Sequence, residues 1–354
     1  MITKGAGGAR DRCGGHAAVA RIARRRAGMR GGRGDVAGGV AHVVIAAGYG
    51  GPQVLSVVEE PMPEPGPGEA RIEVRAAGVN PVDVKSYSGA FGADPARLPI
   101  RLGAEAAGVV TAVGPGAEGP AGPVRAGDEV IAYRAPGAYA SELLVPAGAV
   151  VPKPAALDWA QAAGLLLTGV TAWHLLEATA VGAGDTVLIH GGSGGVGLMA
   201  VQLAVVRGAR VVATASPGRH DLLTELGAVP VAYGPGLADR VAVAAPDGVD
   251  AALDLVGTGE AWDVSLGLVP DRARVATIVA FAKGLQAGVK VLGGAPGADP
   301  GTDIRQRARL DLARLAQEGK LRVVVSQTFP LAEAAAAHRA ILDGHTTGKI
   351  VLIP

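Results

Sequence analysis

One cysteine in 354 residues, Cys13, leaves no partner for an internal disulfide and too few thiols for a cysteine-rich zinc lobe. A reducing compartment, the cytoplasm, is the expectation that goes with it. A clean membrane span is also missing. The most apolar window, residues 165–181, is interrupted by Thr168, His174 and Glu177 and reads as a buried helix. No internal repeat is visible, and no Ser/His/Asp triad is indicated. Excess charge is lacking too, with 33 Lys/Arg against 32 Asp/Glu, but the balance is uneven. Residues 1–39 carry net +7, which leaves −6 on residues 40–354, so the body of the chain offers nucleic acid little attraction. Residues 1–39 hold almost no large apolar side chain and cannot bury enough surface to fold alone. They read as a disordered or artefactual tail, ahead of an Arg-rich transit peptide or a nucleic-acid arm; a later translation start, for example at Met29, is a third reading.

What is present is a chain long enough for two domains and 49% apolar. Its organising stretch is Thr186–His190, a short apolar run that reads as a buried parallel strand. Five glycines and Ser193 follow, then an Ala- and Leu-rich run that ends at Arg207-Gly208 and reads as a helix. Gly192, Gly194 and Gly197 fit the dinucleotide-binding fingerprint. The first permits the tight turn, the second lets backbone approach a pyrophosphate, and the third lets helix pack on strand. Alone, such spacing means little in a chain with 55 glycines. Here a strand precedes it, a helix follows, and a second apolar strand comes at Arg210–Ala215, which is the required context.

Before that stretch the texture is β. Runs at 41–46, 54–58, 71–77, 107–113, 129–133 and 141–146, broken by Gly/Pro turns, suggest a compact barrel-like domain. Asp158 reads as the N-cap of a helix through Leu167, and 171–180 as another helix. After the Gly-rich turn, helices and strands alternate as in a doubly wound parallel sheet, with strands at 210–215, 229–233, 250–256 and 273–280. A Gly/Pro loop at 293–301 leads to a helix at 302–317, a strand at 321–325, a helix at 331–342 and a last strand at 349–353.

These elements, with Ala76–Asp83, Leu102–Val110, Ala126–Val130, Thr168–Trp173, His190–Gly197 and Gly348–Leu352 in this order, resemble the medium-chain dehydrogenase/reductase superfamily. Within it the chain is most similar to the zinc-independent quinone oxidoreductase, zeta-crystallin-like, branch. The resemblance implies an α/β protein in which a GroES-like catalytic domain, 40–156 and 295–354, carries an inserted Rossmann domain, 157–294. Zinc-dependent members place cysteine where Asn80 stands and histidine where Ala104 stands. Neither residue here offers a thiolate or an imidazole, so no catalytic metal is expected. Alcohol oxidation, which uses zinc to acidify the alcohol, is thereby disfavoured against reduction of a quinone or conjugated enone.

The second strand of the fingerprint unit ends Thr214-Ala215-Ser216-Pro217-Gly218-Arg219, without the carboxylate that holds the ribose hydroxyls of NAD. Ser216 and Arg219 suit a 2′-phosphate, and Tyr233 matches a family tyrosine near it, so NADPH is the expected cofactor. The resemblance puts the pyrophosphate on the backbone of Gly192, Ser193, Gly194, Gly195, Val196 and Gly197. It also puts Asn80 and Thr171 beside the nicotinamide, and Gly257 with Asp254 at the cofactor's border. Asn80 is expected to bond the ribose or a substrate carbonyl, or else to cap the turn before Pro81. Related reductases carry tyrosines where Lys85 and Phe91 stand, with Tyr87 between them. Asn80, Lys85 and Tyr87 are the catalytic candidates, and the proton donor is not identified. The expected activity is NADPH-dependent reduction of a quinone or α,β-unsaturated carbonyl by a homodimer. The alternatives are an enoyl-thioester reductase of the same fold and an NADPH-binding sensor without turnover.

Overall fold

Every strand that apolar patterning marks, except the one at 321–325, is found with its ends within three residues of the expected positions, and five further strands of two or three residues among the described residues were not marked. The computed structural model describes residues 39–344 and 346–354, so the expectations for the N-terminal tail, Cys13 and Met29 lie outside the described residues. The first ten strands are β1 (Val40–Ala46), β2 (Leu55–Pro61), β3 (Glu69–Val79), β4 (Ile100–Arg101), β5 (Glu105–Val113), β6 (Glu118–Gly119), β7 (Gly122–Pro123), β8 (Glu129–Tyr133), β9 (Glu142–Pro146) and β10 (Val150–Pro152). The rest are β11 (Thr186–His190), β12 (Arg210–Ala215), β13 (Ala228–Ala232), β14 (Ala251–Asp254), β15 (Val275–Thr277), β16 (Lys290–Val291), β17 (Val325–Pro330) and β18 (Lys349–Ile353).

Two of the sheets matter for function. The first has the order β10-β8-β5-β3-β18-β17, with β9 also on β3; its pairs are antiparallel except β17 with β18. The chain's last strand is thus an interior strand of a sheet built mostly from its first half. The second sheet has the order β13-β12-β11-β14-β15-β16 and is parallel throughout. All five residues of β11 are buried, as befits a strand with helices over both faces. Strand order reverses beside β11, where a crevice opens at the carboxyl ends of the strands. This is the GroES-like plus Rossmann architecture. No helix among the described residues is long and apolar enough to cross a membrane.

Three local expectations need correction. The helix from Asp158 stops at Ala163, and a second runs from Leu166 to Ala178. Asp158 and Gln161 do cap each other's backbone N–H, but a Cβ on Gly164 would stand 3.1 Å from both Lys349 and Val323, so the chain breaks where the C-terminal strand presses in. The strand expected at 321–325 lies instead at Val325–Pro330. Leu321 and Val323 are buried as the alternation implies, yet their backbone partner is a side chain. The Gln202 amide accepts from Arg322 N–H (2.7 Å) and donates to its carbonyl (3.1 Å). Third, the Asn80-Pro81 turn is the start of a seven-residue helix, Pro81–Tyr87, with proline where a missing N–H costs nothing.

Candidate active site

A cleft of about 1090 Å³ runs along the carboxyl edge of the parallel sheet and reaches the ends of β3 and β8. That is at the top of the range for small-molecule sites, with room for a dinucleotide and a second reactant. The Gly-rich turn forms its floor. Gly191 has φ +78°, and a Cβ on Gly197 would run into the carbonyl oxygens of Gly191 and Gly192. Gly194 faces open space, with only the Gly191 carbonyl within reach at 3.5 Å. The helix Gly195–Val206 makes its first ladder bond from Leu198 N–H to the Gly194 carbonyl (2.9 Å), leaving the N–H groups of 195–197 unclaimed by the ladder. Backbone donors and the positive end of the helix therefore point at one open spot.

Past the end of β12, Ser216, Arg219 and Tyr233 line the same cleft. Ser216 precedes a short 3-10 turn but makes no side-chain cap bond, so its hydroxyl is not spent on capping. Arg219 is exposed and its guanidinium has no hydrogen bond or ion pair with another described residue, and Tyr233 is 62% exposed. Glu260 is the one carboxylate among the described residues lining the cleft, and it already accepts from Gly234 N–H (2.8 Å). Gly192 and Gly257 do not line it. Gly257 instead donates its N–H to Asp254 (2.8 Å), whose other oxygen accepts from Thr277 (2.9 Å).

At the opposite end Asn80 is 1% exposed and fully engaged. Its Nδ2 donates to the Gly78 carbonyl (3.1 Å) and to Glu105 Oε1 (3.2 Å), and its Oδ1 accepts from Lys349 Nζ (2.6 Å). Lys349 donates also to Glu105 Oε1 (2.9 Å) and to the Val79 carbonyl (3.1 Å). Glu105 Oε2 accepts from Leu167 N–H (2.7 Å) at the start of the helix that carries Thr171. Both amide N–H groups of Asn80 are thus spent. It can accept from a ribose hydroxyl, but it has no donor left for a substrate carbonyl. Thr171 donates to the Leu167 carbonyl (2.7 Å) and accepts from Arg305 (3.3 Å).

Lys85 lines the cleft and pairs with no other described residue, Asp83 included. Tyr87 does not line it. Helical spacing puts Val84 and Tyr87 on the buried face, and Tyr87 is 0% exposed. Its hydroxyl bonds His338 Nδ1 (2.8 Å), and the rings stack with centroids 5.6 Å apart. Tyr139 donates to Asp83 Oδ2 (2.9 Å), which also accepts from Asn80 N–H (2.9 Å). With its proton so placed, Tyr139 must accept from His338 Nε2 (3.2 Å), which leaves Nδ1 to accept from Tyr87. Burial pushes Asp83 up to about 7 against the pull of these hydrogen bonds, and Tyr139 well above the phenol range. Burial, with Asp83 adding to it, lifts Tyr87 to about 12. Burial alone drops His338 to about 4, and burial likewise holds His190, beneath the Gly-rich turn, at about 4.

Known proteins resemble this chain along most of its length. Residues 66–155 match the alcohol dehydrogenase GroES-like domain, and 226–352 match a family described as zinc-binding dehydrogenase. A quinone oxidoreductase of Pseudomonas aeruginosa is 34% identical over 328 residues, spanning 87% of this chain and 98% of that protein. The chain belongs to the quinone oxidoreductase branch of the medium-chain dehydrogenases/reductases. The Escherichia coli quinone oxidoreductase solved with NADPH is 29% identical, with a TM-score of 0.76 over 88% of this chain and all of that one. A mycobacterial protein solved with NADPH is 34% identical, also with a TM-score of 0.76, over 89% of this chain and all of that one. In this quinone oxidoreductase-branch chain, the zinc-binding description of the second match has no counterpart in the side chains. No group of three or more His, Cys, Asp or Glu placed to hold a metal occurs among the described residues.

Sequence reasoning passed over Glu105, Lys349, Asp83, Tyr139, His338 and Arg305. Glu105 and Lys349 did leave a signal. Each is a lone charge leading an apolar strand, Ala106–Val110 or Ile350–Ile353. Nothing in the local sequence says that they pair across 244 residues.

Proposed function

We propose that this protein reduces quinones or α,β-unsaturated carbonyl compounds with NADPH and without a metal. The observation that carries the reading is one continuous cleft. In it the unpartnered hydroxyl of Ser216 and guanidinium of Arg219, the open face of Gly194, and the Asn80–Thr171 corner line the same space, which offers groups suited to the 2′-phosphate, the pyrophosphate and the nicotinamide side of a dinucleotide. The donor set fits the cofactor: backbone N–H groups at a helix start for the pyrophosphate, and a free guanidinium with a free hydroxyl for a 2′-phosphate. When bound, the dihydronicotinamide supplies a hydride.

The chain's own part is to position and to exclude water. The Glu105–Lys349 pair holds Asn80 in one orientation to accept from the nicotinamide-side ribose, and Thr171 is fixed from both sides by Leu167 and Arg305. Phe91, Ile278, Val279 and Phe281 line the cleft and give an electron-poor planar acceptor an apolar bed. Domain limits of 40–156 with 295–354 and of 157–294, and a homodimeric assembly, belong to the same proposal. Light scattering tests the assembly. An NADPH-oxidation assay across benzoquinones, naphthoquinones, 2-enals and enoyl thioesters tests the function. Turnover restricted to thioesters would move the assignment to an enoyl-thioester reductase. Tight NADPH binding with no oxidation by any acceptor would move it to a sensor.

A further inference from the structure

Reducing a conjugated acceptor leaves an oxyanion that must be stabilised and a proton that must be supplied. The polar groups nearest Asn80 cannot do either. Both N–H groups of Asn80, all three of Lys349 and the hydroxyl proton of Thr171 are committed to internal acceptors. Arg134 and Arg305 line the cleft, but a guanidinium does not give up its proton, and Lys85 is half-exposed.

Tyr133 is different. It ends β8 directly opposite Glu105 in the β5–β8 ladder, so the two side chains share a face of the sheet. Glu105 is the residue that grips Asn80 and Lys349 and accepts from Leu167, which places the Tyr133 ring at the same corner. Tyr133 is 5% exposed, its body packed in the core with Ile131, Val151 and Leu157, and it lines the cleft. Three tyrosines are buried among the described residues, and the hydroxyls of Tyr87 and Tyr139 are both bonded. The Tyr133 hydroxyl bonds to no described residue, and it is not among the sealed, unpartnered atoms. A buried phenol that lines a cleft, and whose oxygen is neither sealed nor hydrogen-bonded, asks for a partner that arrives from outside.

We propose that Tyr133 is a catalytic residue, donating a hydrogen bond to the acceptor's carbonyl oxygen and then the proton. This rests on the reductase reading above. The β-carbon of an enone accepts a hydride and its electron pair from a dihydronicotinamide, and the π pair moves to the carbonyl oxygen. The Tyr133 O–H bond breaks as its proton passes to that enolate oxygen. The enol reverts to the saturated carbonyl in water, and the phenolate recovers a proton from solvent. One hydride and one proton are consumed per turnover.

Because the hydroxyl holds nothing inside the protein, Tyr133→Phe is expected to keep the wild-type unfolding midpoint and NADPH affinity. Its kcat for 2-enals should fall by about 100-fold, the scale of losing one oxyanion donor. A readout independent of turnover is the absorbance of 4-nitrophenolate bound beside NADP⁺, an oxyanion mimic that should bind about tenfold more weakly to the variant. Equal turnover, or equal nitrophenolate affinity, in the two proteins overturns the proposal and leaves the reductase reading standing. A wild type that binds no NADPH and reduces no acceptor removes both.

Discussion

Lys349 sits with 4% of its side chain exposed against a Glu105 that is wholly buried. The interior tolerates the pair because every proton of the ammonium and both carboxylate oxygens have partners. Removing one partner strands the other charge, which typically costs about 3–5 kcal/mol, whereas removing both is far milder. Lys349→Met should therefore lower the denaturant midpoint sharply, and Glu105→Gln/Lys349→Met should recover much of the loss. A double variant as unstable as the sum of the singles would contradict this. At the other end of the cleft, Arg219→Ala should weaken NADPH binding by about tenfold or more while leaving NADH binding unchanged, as calorimetry would read. The place of Arg219 at the cleft was legible because a short rule about the end of one strand applies to it. Glu105 and Lys349 were not, since their meaning lies in a contact between strands from opposite ends of the chain.

At the scale of elements, the helices Pro81–Tyr87 and Ala334–Leu342 are tied together by Asp83, Tyr139, His338 and Tyr87. The first helix was hidden in the sequence because seven residues opening on Asn-Pro read as a turn. The chain of side chains was hidden because no periodicity reports on it. This cluster has a pH signature. Asp83 rises from 3.8 to about 7 on folding, so between those values it is protonated when folded and ionised when unfolded. Its contribution to stability is present in acid and is lost as pH rises through about 7. His338 falls from 6.5 to about 4, so its contribution runs the other way and is lost as pH drops below 6.5. The two offset each other over the shared window. Asp83→Asn, which can still accept from Tyr139 and Asn80, should make stability fall more steeply on acidification between pH 6.5 and 4 by one proton's worth, about 1.4 kcal/mol per pH unit. His338→Gln should change the slope over the same range by the same amount in the opposite sense. Denaturation midpoints across that range decide it; identical slopes in all three proteins would refute the linkage.

For the molecule as a whole, the order of motifs along the chain was enough to read a GroES-like part followed by a Rossmann part. The resemblance also implied that the C-terminal segment returns to the GroES-like part, but not which contacts join the two. Strand β18 lies between β3 and β17, and the residue before it, Gly348, donates its N–H to the Ser193 carbonyl in the Gly-rich turn (3.0 Å). Lys349, next along, holds Asn80. Two consecutive positions thus connect the Gly-rich turn, the Asn80 corner and an interior strand of the other sheet. A ligand that orders the turn should then stiffen the return strand as well. If the proposed cofactor role holds, NADPH at a hundredfold excess over its Kd would stabilise the folded state by about 2.7 kcal/mol. We expect hydrogen exchange to show that protection in β3 and β18 as well as in residues 186–215, with NADH far less effective at equal concentration. Protection confined to the parallel sheet would mean that the two halves open independently and that the C-terminal return is only a covering strand.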